Sequence, residues 1–262
     1  DQQDRFAGRW LVREYIYDAA GNYQGSIRQR RRLEITDKKQ IRVIQDCEPD
    51  PDLKGHPMAD FKGHWEFTLS KSGARRSYLG PDVLGCGFMW REGIMTGEGL
   101  WPRFGKNFSS YAFMTAKNRQ CTGGVFTHVS ETIASITGIA EPETTGDWPS
   151  IEQNIHPIDI SSQWQGTVYR HTADGHFVFS EKLQRNYHDA HFSEQRTNSQ
   201  VEMKFHSNGG ISGHFGDETF HGLYRKYGTR LEVDGCTHNR RTWTEILDPK
   251  TQTIFQFQKI YQ

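Results

Sequence analysis

Apolar and polar residues alternate with a period of two along most of this chain. Residues 10–17 read Trp-Leu-Val-Arg-Glu-Tyr-Ile-Tyr, with Trp10, Val12 and Ile16 on one face. Residues 27–36 place Ile27, Leu33 and Ile35 on one side and Arg28, Arg30, Arg32 and Glu34 on the other. The alternation returns at 41–43, 65–69, 201–205 and 231–233. Runs of this kind, rich in β-branched and aromatic residues, predict half-buried strands. Turn clusters separate them, among them Ala20-Gly21-Asn22, Ala173-Asp174-Gly175 and Ser207-Asn208-Gly209-Gly210. Such residues supply the positive φ that tight hairpins require. No long amphipathic helix stands out: residues 130–139 fit a helix or a strand, and 253–261 read as a final strand. The pattern predicts an all-β protein.

The strand signals fall into two halves. Between them, residues 141–157 hold Pro142, Pro149, Pro157 and Gly146, the composition of a linker or a long surface loop. This predicts domains at 1–145 and 163–262 joined by 146–162. The halves also begin alike. Phe6-Ala-Gly8-Arg-Trp10 opens the first, followed by a strand and a polar turn, and Trp164-Gln-Gly166-Thr-Val168 opens the second in the same way. The recurrence suggests an internal duplication.

The motif Phe6-x-Gly8-x-Trp10 ahead of serial short strands resembles the opening of lipocalins and other calycins. The resemblance implies an antiparallel barrel whose Gly permits a tight entry and whose Trp plugs one end. With the second start at Trp164, it implies two lipocalin-like barrels in tandem, as in acyclic carotenoid hydratases and some pericyclases. The chain departs from lipocalins in lacking their usual disulfide spacing and a C-terminal helix. The implied consequence is a pocket inside a barrel, with nothing said about its occupant.

Composition narrows the classes. The 262 residues carry 32 Lys+Arg against 32 Asp+Glu. A chain with no basic excess is not an electrostatic nucleic-acid binder. No apolar run approaches the roughly 20 residues of a membrane span. Only 34% of residues are hydrophobic, but 13% are aromatic, and large rings bury much area each. Cys47, Cys86, Cys121 and Cys236 form no Cys-x-x-Cys pair, which argues against a zinc ribbon or c-type haem attachment. The start Asp1-Gln2-Gln3-Asp4 has neither the basic nor the apolar region of a signal peptide. The compartment stays open, with a soluble, cytoplasmic protein the expectation and a homodimer an open alternative.

Candidate chemistry concentrates in residues 86–110, where Trp90, Arg91, Glu98, Trp101 and Arg103 lie among several glycines. On a strand, Ile94, Thr96, Glu98 and Leu100 share a face. If that face turns inward, Glu98 is a carboxylate among apolar walls, suited to proton transfer. Arg103 would hold an anionic substrate group, with Trp90 and Trp101 as walls. The alternative is a structural ion pair of Glu98 with Arg91 or Arg103. Residues 125–137 read as one further strand carrying His128 and Glu131 on opposite faces, with Glu131 the pocket candidate. Tyr169 and His171 share a face and are substrate-binding candidates. Trp243 is another, flanked by Arg241 and Glu245 as either a barrel plug with a buried ion pair or a pocket wall. His188 and His191 would share a face only on a helix, and no metal-ligand spacing appears.

There is no Gly-x-Ser-x-Gly elbow, P-loop or dinucleotide fingerprint. The expectation is therefore a cofactor-independent isomerase, hydratase or lyase, using proton transfer on a small apolar or aromatic molecule in a barrel. The alternative is a non-catalytic carrier of a small hydrophobic ligand, pigment or haem. Metal and haem remain the cofactor alternatives to none.

Overall fold

In the computed structural model, residues 2–90, 93–150, 163–172 and 177–261 are described. Among them, nearly every alternating run is a strand. The first ten are β1 Gly8–Tyr17, β2 Tyr23–Asp37, β3 Gln40–Pro49, β4 Gly63–Ser72, β5 Arg75–Pro81, β6 Leu84–Trp90, β7 Ile94–Trp101, β8 Lys106–Ala116, β9 Arg119–His128 and β10 Glu131–Pro142. Each pairs antiparallel with its sequence neighbours, and β10 returns to β1 to close a barrel. The next nine are β11 Gln163–Thr172, β12 Phe177–His188, β13 His191–Arg196, β14 Gln200–Phe205, β15 Gly210–Phe215, β16 Glu218–Tyr227, β17 Arg230–Cys236, β18 Arg240–Asp248 and β19 Thr253–Tyr261. These close a second barrel. Consecutive hairpins reverse direction at every step. Ten strands therefore close through an antiparallel pair, whereas nine close through the parallel pair of β11 and β19.

The fold is thus all-β, two closed barrels of serial strands in a lipocalin-like arrangement. The chain divides into units of residues 1–151 and 152–262. Most of the expected linker, 151–162, lies outside the described residues, as do Arg91 and the predicted turn at 173–175.

One local reading changes and one is settled. Residues 125–137 are not one strand: Val129, with φ 57°, turns the chain between β9 and β10, so that Glu131 pairs with His128 across a hairpin. Of the two alternatives for residues 130–139, the strand holds, from Glu131 onward.

Both ends of the first barrel are closed. At one end the 3-10 turn Gln2–Phe6 leads into Gly8, whose φ of 130° suits glycine alone. Trp10 is buried there and donates from Nε1 to the Phe6 carbonyl at 2.9 Å. This is the plug implied by the Phe-x-Gly-x-Trp motif. At the other end, residues 50–62 fold over the mouth as two short 3-10 turns and bury Leu53, Met58 and Phe61. Phe61 stacks on Trp65 at 4.7 Å and meets Trp101, Phe104 and Phe126 at 5.1–5.4 Å.

The second barrel has a packed core among its described residues. Its core includes Trp164, Tyr187, Phe192, Phe205, Phe220 and Trp243. Among these rings runs a chain of buried charges. Arg185, wholly buried, lies 2.6 Å from Glu194 and grips Glu245 with two nitrogens, one at 2.8 Å. Arg196 also bonds Glu194, and Gln256 bridges Arg196 to Glu245 at 3.0 Å on each side. The cations and anions of the network balance once Arg170 and Glu181, 3.8 Å apart, are included. Burial alone would raise the Glu194 carboxyl, but Arg196 and Arg185 outweigh it and hold it below its usual range.

Candidate functional site

The first barrel holds a cavity of about 130 Å3, with Phe6 and Phe61 among its lining residues. An eight-stranded barrel is just wide enough to be filled by side chains or hold one small ligand, and diameter grows with strand number. Ten strands make the space.

The walls differ. On β4, β5, β7 and β8 the cavity is aromatic. Phe67 lies 5.8 Å from both Tyr78 and Trp101, and Phe108 lies 6.2 Å from Tyr78 and 5.9 Å from Trp101. Tyr78 reaches this wall because Gly87 and Gly97, paired across β6 and β7, lie beneath its hydroxyl, where any Cβ would strike it. Burial pushes the Tyr78 phenol above its ordinary range.

The wall formed by β2, β1, β10 and β9 carries a polar group among apolar neighbours such as Leu33, Phe126 and Ile136. Glu14 projects inward from β1 in the row of Trp10, Val12 and Ile16 and is 8% exposed. Gln29 Nε2 donates to its Oε2 at 2.6 Å, and Arg31 Nη2 donates to Gln29 Oε1 at 2.8 Å and to Glu14 Oε1 at 3.4 Å. Thr122 of β9 donates to Glu14 Oε1 at 3.4 Å across β10. That reach depends on Gly138, between them in the ladder: a Cβ there would sit 2.7 Å from Thr122 Oγ1 and 2.8 Å from Glu14 Cγ. Gln120 extends the wall and is 3% exposed. Two buried donors on it, Arg31 Nε and Gln120 Nε2, have no hydrogen-bond partner among the described residues. Buried donors in native proteins are nearly always paired, so each of these calls for an ordered water or a bound group.

The residues expected from the sequence are scattered. Trp101 is buried in the cavity wall. Glu98 does not face inward: the inward positions on β7 are Met95, Gly97 and Trp101, and Glu98 is exposed outside. Trp90 is on that outer side too, donating to Thr96 Oγ1 at 2.7 Å. Arg103 is exposed in the β7–β8 turn. It covers the Trp65 ring at 3.8 Å and lies 3.6 Å from Asp82, so Glu98 and Arg103 do not meet. Glu131 is exposed at its hairpin. Tyr169 and His171 are buried, but on the face of β11 opposite Trp164 and Val168, where Tyr169 stacks on Phe257 at 5.8 Å. Trp243 is packed in the second barrel's core, 5.3 Å from Phe220, and its neighbour Glu245 is the buried ion-pair member rather than a pocket wall. His188 and His191 face each other across an exposed hairpin, ring centroids 5.7 Å apart. Among the described residues no three His, Cys, Asp or Glu converge as metal ligands. None of the four cysteines is in a disulfide.

The residues missed were marked by parity. Gln29 and Arg31 occupy the same face of β2 as Ile27 and Leu33, and Glu14 the same face of β1 as Val12 and Ile16. Polar side chains in an inward row are the signal.

No protein-family model matches the chain, and no curated protein matches it. Among the solved structures similar to it are these two. An S-type phycobiliprotein lyase from Guillardia theta is 10% identical, covering 57% of this chain and 91% of that one, with a TM-score of 0.40. A protein of unknown function from the DUF3598 family of Nostoc punctiforme is 13% identical, covering 97% and 94%, with a TM-score of 0.46. No helix among the described residues is long and apolar enough to cross a membrane.

Proposed function

We propose that the first barrel binds one small, largely aromatic molecule in its cavity, with the Glu14–Gln29–Arg31 group orienting it. The observation that carries this reading is the asymmetry of the cavity. One wall is aromatic, and the other carries a polar group with two donors left unpaired inside a protein interior, the usual design of a small-molecule site. The second barrel, with its packed core of rings and a balanced charge network, serves as a structural unit.

A second reading has its own support. Glu14 is a carboxylate on the cavity wall, within reach of a bound molecule, so the same site suits proton transfer of the isomerase, hydratase or lyase type. In that case Glu14 moves the proton while Arg31 and Gln29 hold the carboxylate in place.

Thermal melting in the presence of small aromatic compounds tests the binding reading. A ligand at 100 times its Kd stabilises the folded chain by about 2.7 kcal/mol. Ala112→Phe fills the cavity from β8 and should abolish that gain. An equal gain in Ala112→Phe would place binding elsewhere and sink the proposal. For catalysis, binders are incubated in deuterated water. Exchange into the compound that is lost in Glu14→Gln supports proton transfer, and exchange that persists in it removes Glu14 from that role.

A further inference from the structure

Given that the first barrel is the binding barrel, its polar wall also specifies the kind of molecule. The two unpaired groups, Arg31 Nε and Gln120 Nε2, are both donors. A wholly apolar occupant would leave both unsatisfied, and a buried donor without a partner is costly. The occupant therefore presents an acceptor.

The charge of the wall limits which acceptor. Glu14 and Arg31 are the charged residues among those lining the cavity, and they already pair with each other. A bound carboxylate would add a second negative charge beside Glu14, with no further cation on the wall to balance it. Taking an unbalanced charge out of water is strongly unfavourable. A carbonyl oxygen satisfies the same donors with no added charge.

Size and shape set the remainder. An apolar cavity of 150 Å3 is known to take up benzene, and this one is about 130 Å3 with stacking surfaces from Tyr78, Trp101 and Phe108. We propose that the ligand is an uncharged, single-ring aromatic carbonyl compound. Its oxygen is received by Gln120 and Arg31, and its ring lies against the aromatic wall.

Three isosteric probes test this by isothermal titration calorimetry at pH 7: acetophenone, ethylbenzene and benzoate. The expected order on the wild-type chain is acetophenone tightest by about tenfold over ethylbenzene, the scale of one buried hydrogen bond, with benzoate weakest. Gln120→Met removes the donor at similar volume. It should erase most of the acetophenone advantage while leaving ethylbenzene within about twofold, as expected when a hydrogen bond rather than packing is lost. Benzoate binding tightest would overturn the proposal in favour of an anion site. Ethylbenzene equal to acetophenone would overturn it in favour of purely apolar binding. In both cases the barrel remains a binding barrel. Failure of all three probes to bind would overturn this inference and count against the binding reading as well. The wild-type comparison decides between these outcomes even if Gln120→Met does not fold.

Discussion

Arg185→Met is the perturbation whose outcome the structure fixes most tightly. Arg185 is fully buried and is shared between Glu194 and Glu245. Without it, Glu194 keeps Arg196, but Glu245 keeps only neutral partners, Tyr187 at 3.4 Å and Gln256 at 3.0 Å. An ionised carboxylate would then be buried with no cation. Removing one member of a buried pair costs about 3–5 kcal/mol. For a unit of this size each kcal/mol moves Tm by about 4–8 °C, so a fall of roughly 12–40 °C is expected for the second barrel. Circular dichroism melts at pH 7 would read it. The companion Arg185→Met/Glu245→Met removes the orphaned charge and should recover most of the loss, because an apolar replacement of a buried pair is often near neutral. A drop below about 1 kcal/mol for the single variant, or a double variant no better than the single, would refute the reasoning.

Three further outcomes follow from single contacts. Gly138→Ala would push a methyl between Glu14 and Thr122, and should cost about 1–3 kcal/mol by overpacking; an unchanged urea midpoint would contradict the geometry. Phe61→Ala removes the ring that closes the barrel mouth, with an expected loss of about 3–5 kcal/mol and faster release of a bound probe in stopped-flow measurements. Burial, and then Lys259, hold His171 down at about 4 against its ordinary 6.5. Between those values the unfolded chain takes up a proton that the folded chain refuses, so His171 makes stability fall as pH drops from about 6.5 to about 4. His171→Phe should flatten the Tm profile in that window, and an unchanged slope would show that His171 does not titrate as described.

The architecture was legible because strand alternation and Gly/Asn turns are local signals, and the Phe6-Gly8-Trp10 motif matched the plug found at the barrel's end. What misled was treating charge as a marker of a site. Glu98 and Arg103 sit in an unusual segment, but the glycines there serve close strand packing and the seat of Tyr78, and Glu98 falls on the outward parity. The polar group inside the cavity was hidden because Arg31 lies in a run of four arginines at 28 and 30–32, which reads as a solvated face unless parity is followed residue by residue. The convergence of Glu14, Gln29, Arg31 and Thr122 depends on three strand pairings spanning residues 14–138, which a single sequence does not display. The same holds for Arg185 and Glu245, 60 positions apart.

The most direct test of the binding barrel is an amide chemical-shift map of the whole chain titrated with acetophenone. The account predicts perturbations centred on Glu14, Gln29, Arg31, Gln120 and Thr122, saturating together and absent from residues 163–261. Shifts centred within 163–261, or none that saturate, would contradict it.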